Sequence, residues 1–192
     1  KTNEYPTMYK KIFSFSWPLV LTYFLAMIMA WIDTIMIGYF RDAQEVGVYN
    51  AAIPTAQILY MIPYAFSFLF IPVLTDLYAK KEWVSFNNLL SSTTRWILMI
   101  NMIPLAVFTF LAPEVVLTLF GKEYDMAAIP LTILSLGYFI NYLVINATNT
   151  LIIFKKTKWI FIDLLFGVVL NIILNLILIP RYGSIGAASA TA

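Results

Sequence analysis

The sequence contains no cysteine and no histidine, and only 11% of its residues are charged. Without thiols there is no disulfide, no thiolate nucleophile and no cysteine-based metal centre. Without imidazole the usual proton shuttle near neutral pH is missing as well. We therefore predict no catalytic residues, no metal ligands, no enzyme activity and no cofactor. A charged fraction below half of the roughly 25% found in soluble domains, beside 61% hydrophobic residues, excludes an ordinary water-soluble fold. The formal net charge is only +2, and the cations form no basic face, which excludes nucleic acid as a partner.

What the chain has in abundance is long apolar runs, at 12–40, 46–74, 96–112, 126–154 and 159–179. A helix crossing a bilayer needs about 20 mainly apolar residues, which four of the five runs meet, with 96–112 near the short limit. Alternating polarity is absent from all of them, and a bilayer admits only helices or closed barrels. The predicted class is an all-α polytopic membrane bundle with five complete spans. A further run, 185–192, reads as the start of a sixth helix. Eight residues are too few to cross, so the expectation is a piece of a longer protein, cut within its last helix.

The cations alternate between gaps. Lys1, Lys10, Lys11, Lys80, Lys81, Arg95, Lys155, Lys156 and Lys158 lie in the N-terminal tail and the second and fourth gaps, against Arg41, Lys122 and Arg181 in the others. Nine against three places the N-terminus of this chain and the lysine-rich turns in the cytoplasm. Tyr5, Tyr9 and Trp17 suit an interfacial aromatic belt, and the amphipathic stretch 83–94 suits the interface ahead of a helix starting near Arg95.

Polar residues inside the runs carry the functional signal, because an ionisable group within a membrane helix costs about 2.5–3.5 kcal/mol and by default faces a pathway or a partner. Asp33 lies eight positions before Arg41 and is the strongest candidate for both a pathway and a coupling ion. Asp163 is a second ion candidate, although its place five residues past Lys158 equally suits an interfacial carboxylate. Arg95 is either an anchor at the cytoplasmic surface or a ligand for an anionic headgroup. Gln57 shares a helical face with Asn50, Pro54 and Met61. Tyr138, Asn141, Tyr142, Asn146 and Asn149 fall within about 140° of one helix at 100° per residue, a wall that should not face lipid. Asn171 and Asn175, one turn apart, bond helix to helix in the simpler reading; Asn171 is also carried as a pathway residue. Pro54, Pro63 and Pro72 in one span require neighbouring groups or water to satisfy freed carbonyls. The small residues Gly186, Ala187, Ala188, Ser189 and Ala190 read as a packing face.

Several motifs then form a series. Ser16-Trp17-Pro18, Ile32-Asp33-Thr34-Ile35-Met36-Ile37-Gly38 and Val46-Gly47-Val48-Tyr49-Asn50-Ala51-Ala52 open it. Phe120-Gly121-Lys122-Glu123-Tyr124 follows with Leu131 and Leu134. Asn171, Leu174, Asn175, Leu178, Ile179, Pro180, Tyr182, Gly183, Gly186, Ala187, Ala188, Ala190 and Thr191 close it. Together they resemble the second half of polysaccharide flippases of the multidrug/oligosaccharidyl-lipid/polysaccharide exporter superfamily. The resemblance implies two six-helix lobes about a pseudo-two-fold axis, with residues 1–192 as the C-terminal lobe and an N-terminal six-helix lobe of the same chain as partner. It implies alternating access at the cell membrane and transport of a polyprenyl-diphosphate-linked glycan, with membrane lipid around it. Coupling to H⁺ or Na⁺ is the associated expectation. The alternative is a multidrug and toxin extrusion type cation-coupled antiporter. A membrane-embedded glycan ligase or acyltransferase is disfavoured by the short outer turns and the missing histidine.

Overall fold

The structure, a computed structural model, describes residues 5–192, apart from the side chains of residues 5–8, 10–16, 18–19, 143–146 and 157. Asn146 and the side chains of Tyr5, Lys10, Lys11 and Pro18, all singled out above, lie outside the described residues, as does Lys1. The described chain is helical and contains no strand. Its elements are α1 (Tyr5–Phe40), α2 (Ala43–Ala56), α3 (Ile58–Ala79), α4 (Trp83–Phe110), α5 (Ala112–Phe120), a 3-10 turn (Lys122–Ala127), α6 (Ala128–Ile153) and α7 (Thr157–Thr191). Five helical stretches are long and apolar enough to cross a membrane: Val20–Phe40, Ala43–Ala79, Trp83–Phe110, Lys122–Ile153 and Lys158–Thr191. Two turns, at Lys81 and Lys155, form a lysine-rich end, and the turns around Arg41 and Gly121 form the opposite one.

At the hub of the bundle is α6, which packs against α2, α3, α4, α5 and α7. Its Leu131, Leu134, Ser135 and Tyr142 are fully enclosed. The other spans bury one stripe and expose large apolar side chains such as Trp31, Phe68 and Phe110, as a bundle solvated by lipid does. Because lipid tails are as apolar as leucine, the helices gain little from burial as such. Close packing and interhelical hydrogen bonds hold them instead. The main core joins Ile37, Tyr49, Leu59, Val116, Leu131, Leu134 and Ile179 toward the Arg41 end. A smaller one at the lysine-rich end brings Phe86 and Phe154 into a stack with ring centroids 6.0 Å apart, flanked by Tyr78 and Trp83.

Prolines shape the second span. Pro54 has no N–H to give Asn50, and the helix breaks three residues later at Gln57, where the Tyr60 amide donates to the Gln57 carbonyl at 2.9 Å. Pro63 likewise frees the Leu59 carbonyl, and Asn101 of α4 donates its Nδ2 to that oxygen at 3.1 Å. The neighbouring group that the proline pattern called for is thus a buried amide on the next helix.

Two expectations change. Residues 83–94 are not a separate interfacial segment: α4 runs unbroken from Trp83, because neither Gly nor Pro interrupts it before Pro104. Arg95 accordingly lies about 18 Å along this helix, at 1.5 Å per residue, and not at its start. α7 runs on through Pro180. The fold comes at Gly183, whose φ of 57° and ψ of −133° suit glycine and little else. Residues 184–191 run back along residues 157–182, so that Gly186 meets the Leu178 carbonyl and Thr191 meets Asn171. Ala187 and Ala188 are fully buried in this hairpin, the packing face expected of them.

Candidate functional site

The main polar cluster is built at one depth. Asp33 stands seven residues before the end of α1, Tyr49 six residues into α2, and Asn175 eight residues before the fold at Gly183. Helices meeting at a common end therefore bring the three together. Tyr49 Oη donates to Asp33 Oδ2 at 2.6 Å, Thr191 Oγ1 to the same oxygen at 2.5 Å, and Asn175 Nδ2 to Asp33 Oδ1 at 2.5 Å. Asn175 Nδ2 also donates to Asn171 Oδ1 at 3.0 Å, and Asn171 Nδ2 to Thr191 Oγ1 at 3.0 Å. Asp33 is only 4% exposed and Asn171 2%. The Asn175 Oδ1 is buried with no protein partner. The Asp33 carboxylate, the Tyr49 and Thr191 hydroxyls and the Asn171 amide oxygen thus share one hydrogen-bonded cluster, and oxygens of these kinds are the donor chemistry of a small hard cation or a proton.

A second clamp lies at the end of these helices. Beside the fold at Gly183, Arg41 Nε donates to the Ile179 carbonyl at 3.1 Å. Glu45 Oε2 accepts from the Ser184 amide at 2.6 Å and so caps residues 184–191. Asp42 caps α2 through the Glu45 amide at 2.9 Å. A recess of about 400 Å³ opens beside the clamp, lined by Asp42, Gln44, Glu45, Met126, Tyr182 and Ser184 among others.

The remaining candidates are dispersed. Gln57, exposed at the helix break, lines a shallow recess of about 500 Å³ with Pro54, Ile58, Tyr60, Met61 and Tyr64. The wall predicted on α6 divides: Tyr138 and Tyr142 are buried, Asn141 is exposed, and Asn149 donates to Ser67 Oγ at 2.9 Å beside a narrow gap also lined by Thr93. Tyr142 Oη reaches the Thr94 carbonyl at 3.1 Å. Arg95 is exposed about 160° around α4 from the buried Thr93 and Ile97, and so points away from the bundle interior. Asp163 is exposed, about 12 Å along α7 from Asn171 and apart from the Asp33 cluster.

Sequence reasoning brought Asp33 and Asn171 forward but missed Tyr49 and Thr191 as their partners. Matching depths from the helix ends would have found Tyr49. Thr191 required knowing that α7 folds back. Arg41 was counted only among the cations of the intervening gaps, and Glu45 was not singled out.

The profile of the MatE family matches residues 18–177. An uncharacterized membrane protein of Methanocaldococcus jannaschii is 28% identical over 95% of this chain and 36% of its own length. The probable flippase AglR of Haloferax volcanii is 29% identical over 84% of this chain and 34% of its own. The capsular polysaccharide biosynthesis protein CapF of Staphylococcus aureus is 27% identical over 97% and 47%. The chain thus spans between a third and a half of the length of these relatives. No solved structure matches it. With five long apolar helices and a family profile covering most of its length, this multi-pass membrane protein belongs to the MatE family, within the multidrug/oligosaccharidyl-lipid/polysaccharide exporter superfamily.

Proposed function

We propose that this chain is the C-terminal lobe of a flippase that carries lipid-linked oligosaccharide or polysaccharide repeat units across the cell membrane by alternating access, with an N-terminal six-helix lobe of the same protein completing the passage. The observation that carries the reading is the exposed Gln57 at a helix break 14 residues, about 21 Å of helix, past Ala43. An amide at that depth cannot face hydrocarbon without cost, so the surface bearing it faces water or the other lobe. Relatives whose names carry flippase and capsular polysaccharide biosynthesis point to a glycan as the cargo.

In this reading the polyprenyl tail stays in lipid while the glycan passes along the polar face. Gln57 and Asn141 meet the headgroup, Asn149 and Asn171 support the helices behind it, and the diphosphate is held mainly by the N-terminal lobe, since Arg95 points away from this bundle's interior. The coupling site is the Asp33 cluster. It ties α1 to both arms of α7, so H⁺ or Na⁺ entering it competes with the Asn175, Thr191 and Tyr49 bonds and shifts those helices against one another. Asp163 stands outside this cluster, and its contribution to coupling is correspondingly indirect.

The test is the intact protein in liposomes with fluorescent polyprenyl-diphosphate-linked glycan, with leaflet distribution read by a membrane-impermeant quencher. The expected result is protein-dependent transfer that responds to a Na⁺ or H⁺ gradient and loses that response in Asp33→Asn. Absence of transfer across several glycans, together with gradient-driven efflux of organic cations, would replace this reading with a cation-coupled antiporter.

A further inference from the structure

Three tyrosines form a ladder beside the helix break. Tyr138 of α6 lies with its ring centroid 4.8 Å from that of Tyr60 on α3, and Tyr60 lies 5.9 Å from Tyr64 one turn along. Tyr138 is nearly buried and its side chain meets Gln57, Tyr60 is half-buried, and Tyr64 is 61% exposed. The ladder thus runs from the core to the open surface, with its last ring on the Gln57 recess.

Depth sets these rings apart from a belt. Tyr64 precedes Ala79 by 15 residues and follows Ala43 by 21, about 22 and 31 Å of helix, whereas belt aromatics sit at the headgroups. An exposed phenol in the middle of a span leaves its hydroxyl without a partner in hydrocarbon. Its neighbour Gln57, also exposed, compounds the cost, so both belong to a surface that faces water or the other lobe and not hydrocarbon.

The recess has no cation and no carboxylate among its lining residues. That composition does not suit a diphosphate, which calls for Arg or Lys, nor an organic cation, which calls for a counter-charge. It offers an aromatic face, an amide that both donates and accepts, and phenolic hydroxyls. Those are the groups that recognise a neutral ring with one apolar face and an equatorial rim of hydroxyls.

We infer that Tyr64, backed by Tyr60 and Tyr138, stacks on a neutral pyranose ring of the lipid-linked glycan while Gln57 bonds that ring's hydroxyls, making this recess the sugar-recognition site of the lobe. The inference rests on the flippase reading and narrows it: the recess reads sugar and is indifferent to the diphosphate. Tyr60 and Tyr138 are positioning residues that hold the Tyr64 ring.

The experiment uses intact protein in nanodiscs with 3-fluorotyrosine, the Tyr64 ¹⁹F resonance being identified by its loss in Tyr64→Phe. Polyprenyl-diphosphate-linked glycan extracted from the source cells is expected to move this resonance, while sugar-free polyprenyl diphosphate leaves it in place. Tyr64→Ala is expected to raise the half-saturating concentration for glycan-lipid transfer at least tenfold, and Tyr64→Phe less than twofold. A Tyr64 signal indifferent to glycan-lipid, in protein that nevertheless transfers it, overturns the stacking site and leaves the flippase standing. A shift with glycan-lipid but no transfer retains the site and removes the flippase. A shift with tetraphenylphosphonium alone overturns the sugar site in favour of a cation pocket.

Discussion

Asp33 on α1 and Asn175 on α7, 142 positions apart in the chain, share a 2.5 Å hydrogen bond in the interior of the bundle. The Asp33 carboxylate also accepts from Tyr49 and Thr191, so one side chain joins three helical segments. Interhelical bonds in membranes average about 0.6 kcal/mol, and a buried group left without its partner costs about 1–3 kcal/mol. Asp33→Ala strands three donors at once, and its expected cost is about 2–5 kcal/mol. Asp33→Asn retains one acceptor oxygen and is expected to cost about half as much. Thermal unfolding of the intact protein in detergent measures both. An Asp33→Ala protein that melts with the wild type would mean that the cluster does not hold these helices together.

The Asn101 amide serves a carbonyl that Pro63 leaves free. Asn101→Leu is expected to destabilise the protein by about 1–2 kcal/mol, since the Leu59 oxygen then has no donor. In a Pro63→Ala background residue 63 regains an N–H for that oxygen, and the same Asn101→Leu change is expected to cost about 1 kcal/mol less. A double-mutant cycle on unfolding free energies checks the coupling. Equal costs in the two backgrounds would show that the proline and the amide act independently.

Hydropathy and the spacing of cations made the class, the five spans and the turns legible in the sequence, because lipid imposes the same demand on every residue of a span. What escaped depends on pairs far apart. Gln57 and Pro54 were read as one polar face, but nothing local fixes the break at residue 57. Asn101 was not singled out, because a lone amide says nothing of which carbonyl it serves. Asp33 was legible as a costly carboxylate, whereas Thr191 reaches it only because Gly183 reverses the chain. Tyr60 and Tyr64 were masked by the commoner role of tyrosine at interfaces, from which only their depth distinguishes them.

Two glycines in α7 are expected to respond in opposite ways to alanine. At Gly183 the backbone has a positive φ, and a Cβ would press into the Glu45 carboxylate that caps Ser184. Gly183→Ala is expected to cost about 2 kcal/mol or more, from backbone strain together with the lost cap. Gly167 is helical and has open space where a Cβ would stand. Gly167→Ala is expected to be neutral or to stabilise by up to about 1 kcal/mol. Melting temperatures of the two variants, measured side by side, decide the matter; a Gly183→Ala protein as stable as Gly167→Ala would show that the fold of α7 tolerates a side chain at its corner.

Orientation offers a direct check, because this chain contributes no thiol of its own. The lysine-rich turns at Lys81 and Lys155 lie at one end of the helices, and Glu123, beside Gly121, lies at the other. The excess of cations predicts that the first end is cytoplasmic. In a protein otherwise free of cysteine, Glu123→Cys is expected to react with a membrane-impermeant maleimide in intact cells, and Lys156→Cys only after permeabilisation. Both positions are exposed, so failure to label reports sidedness and not burial. The reverse pattern would invert the chain in the membrane, move the Gln57 break from the outer half of its span to the cytoplasmic half, and oblige a glycan exporter to load from the end marked by Arg41 and Glu45.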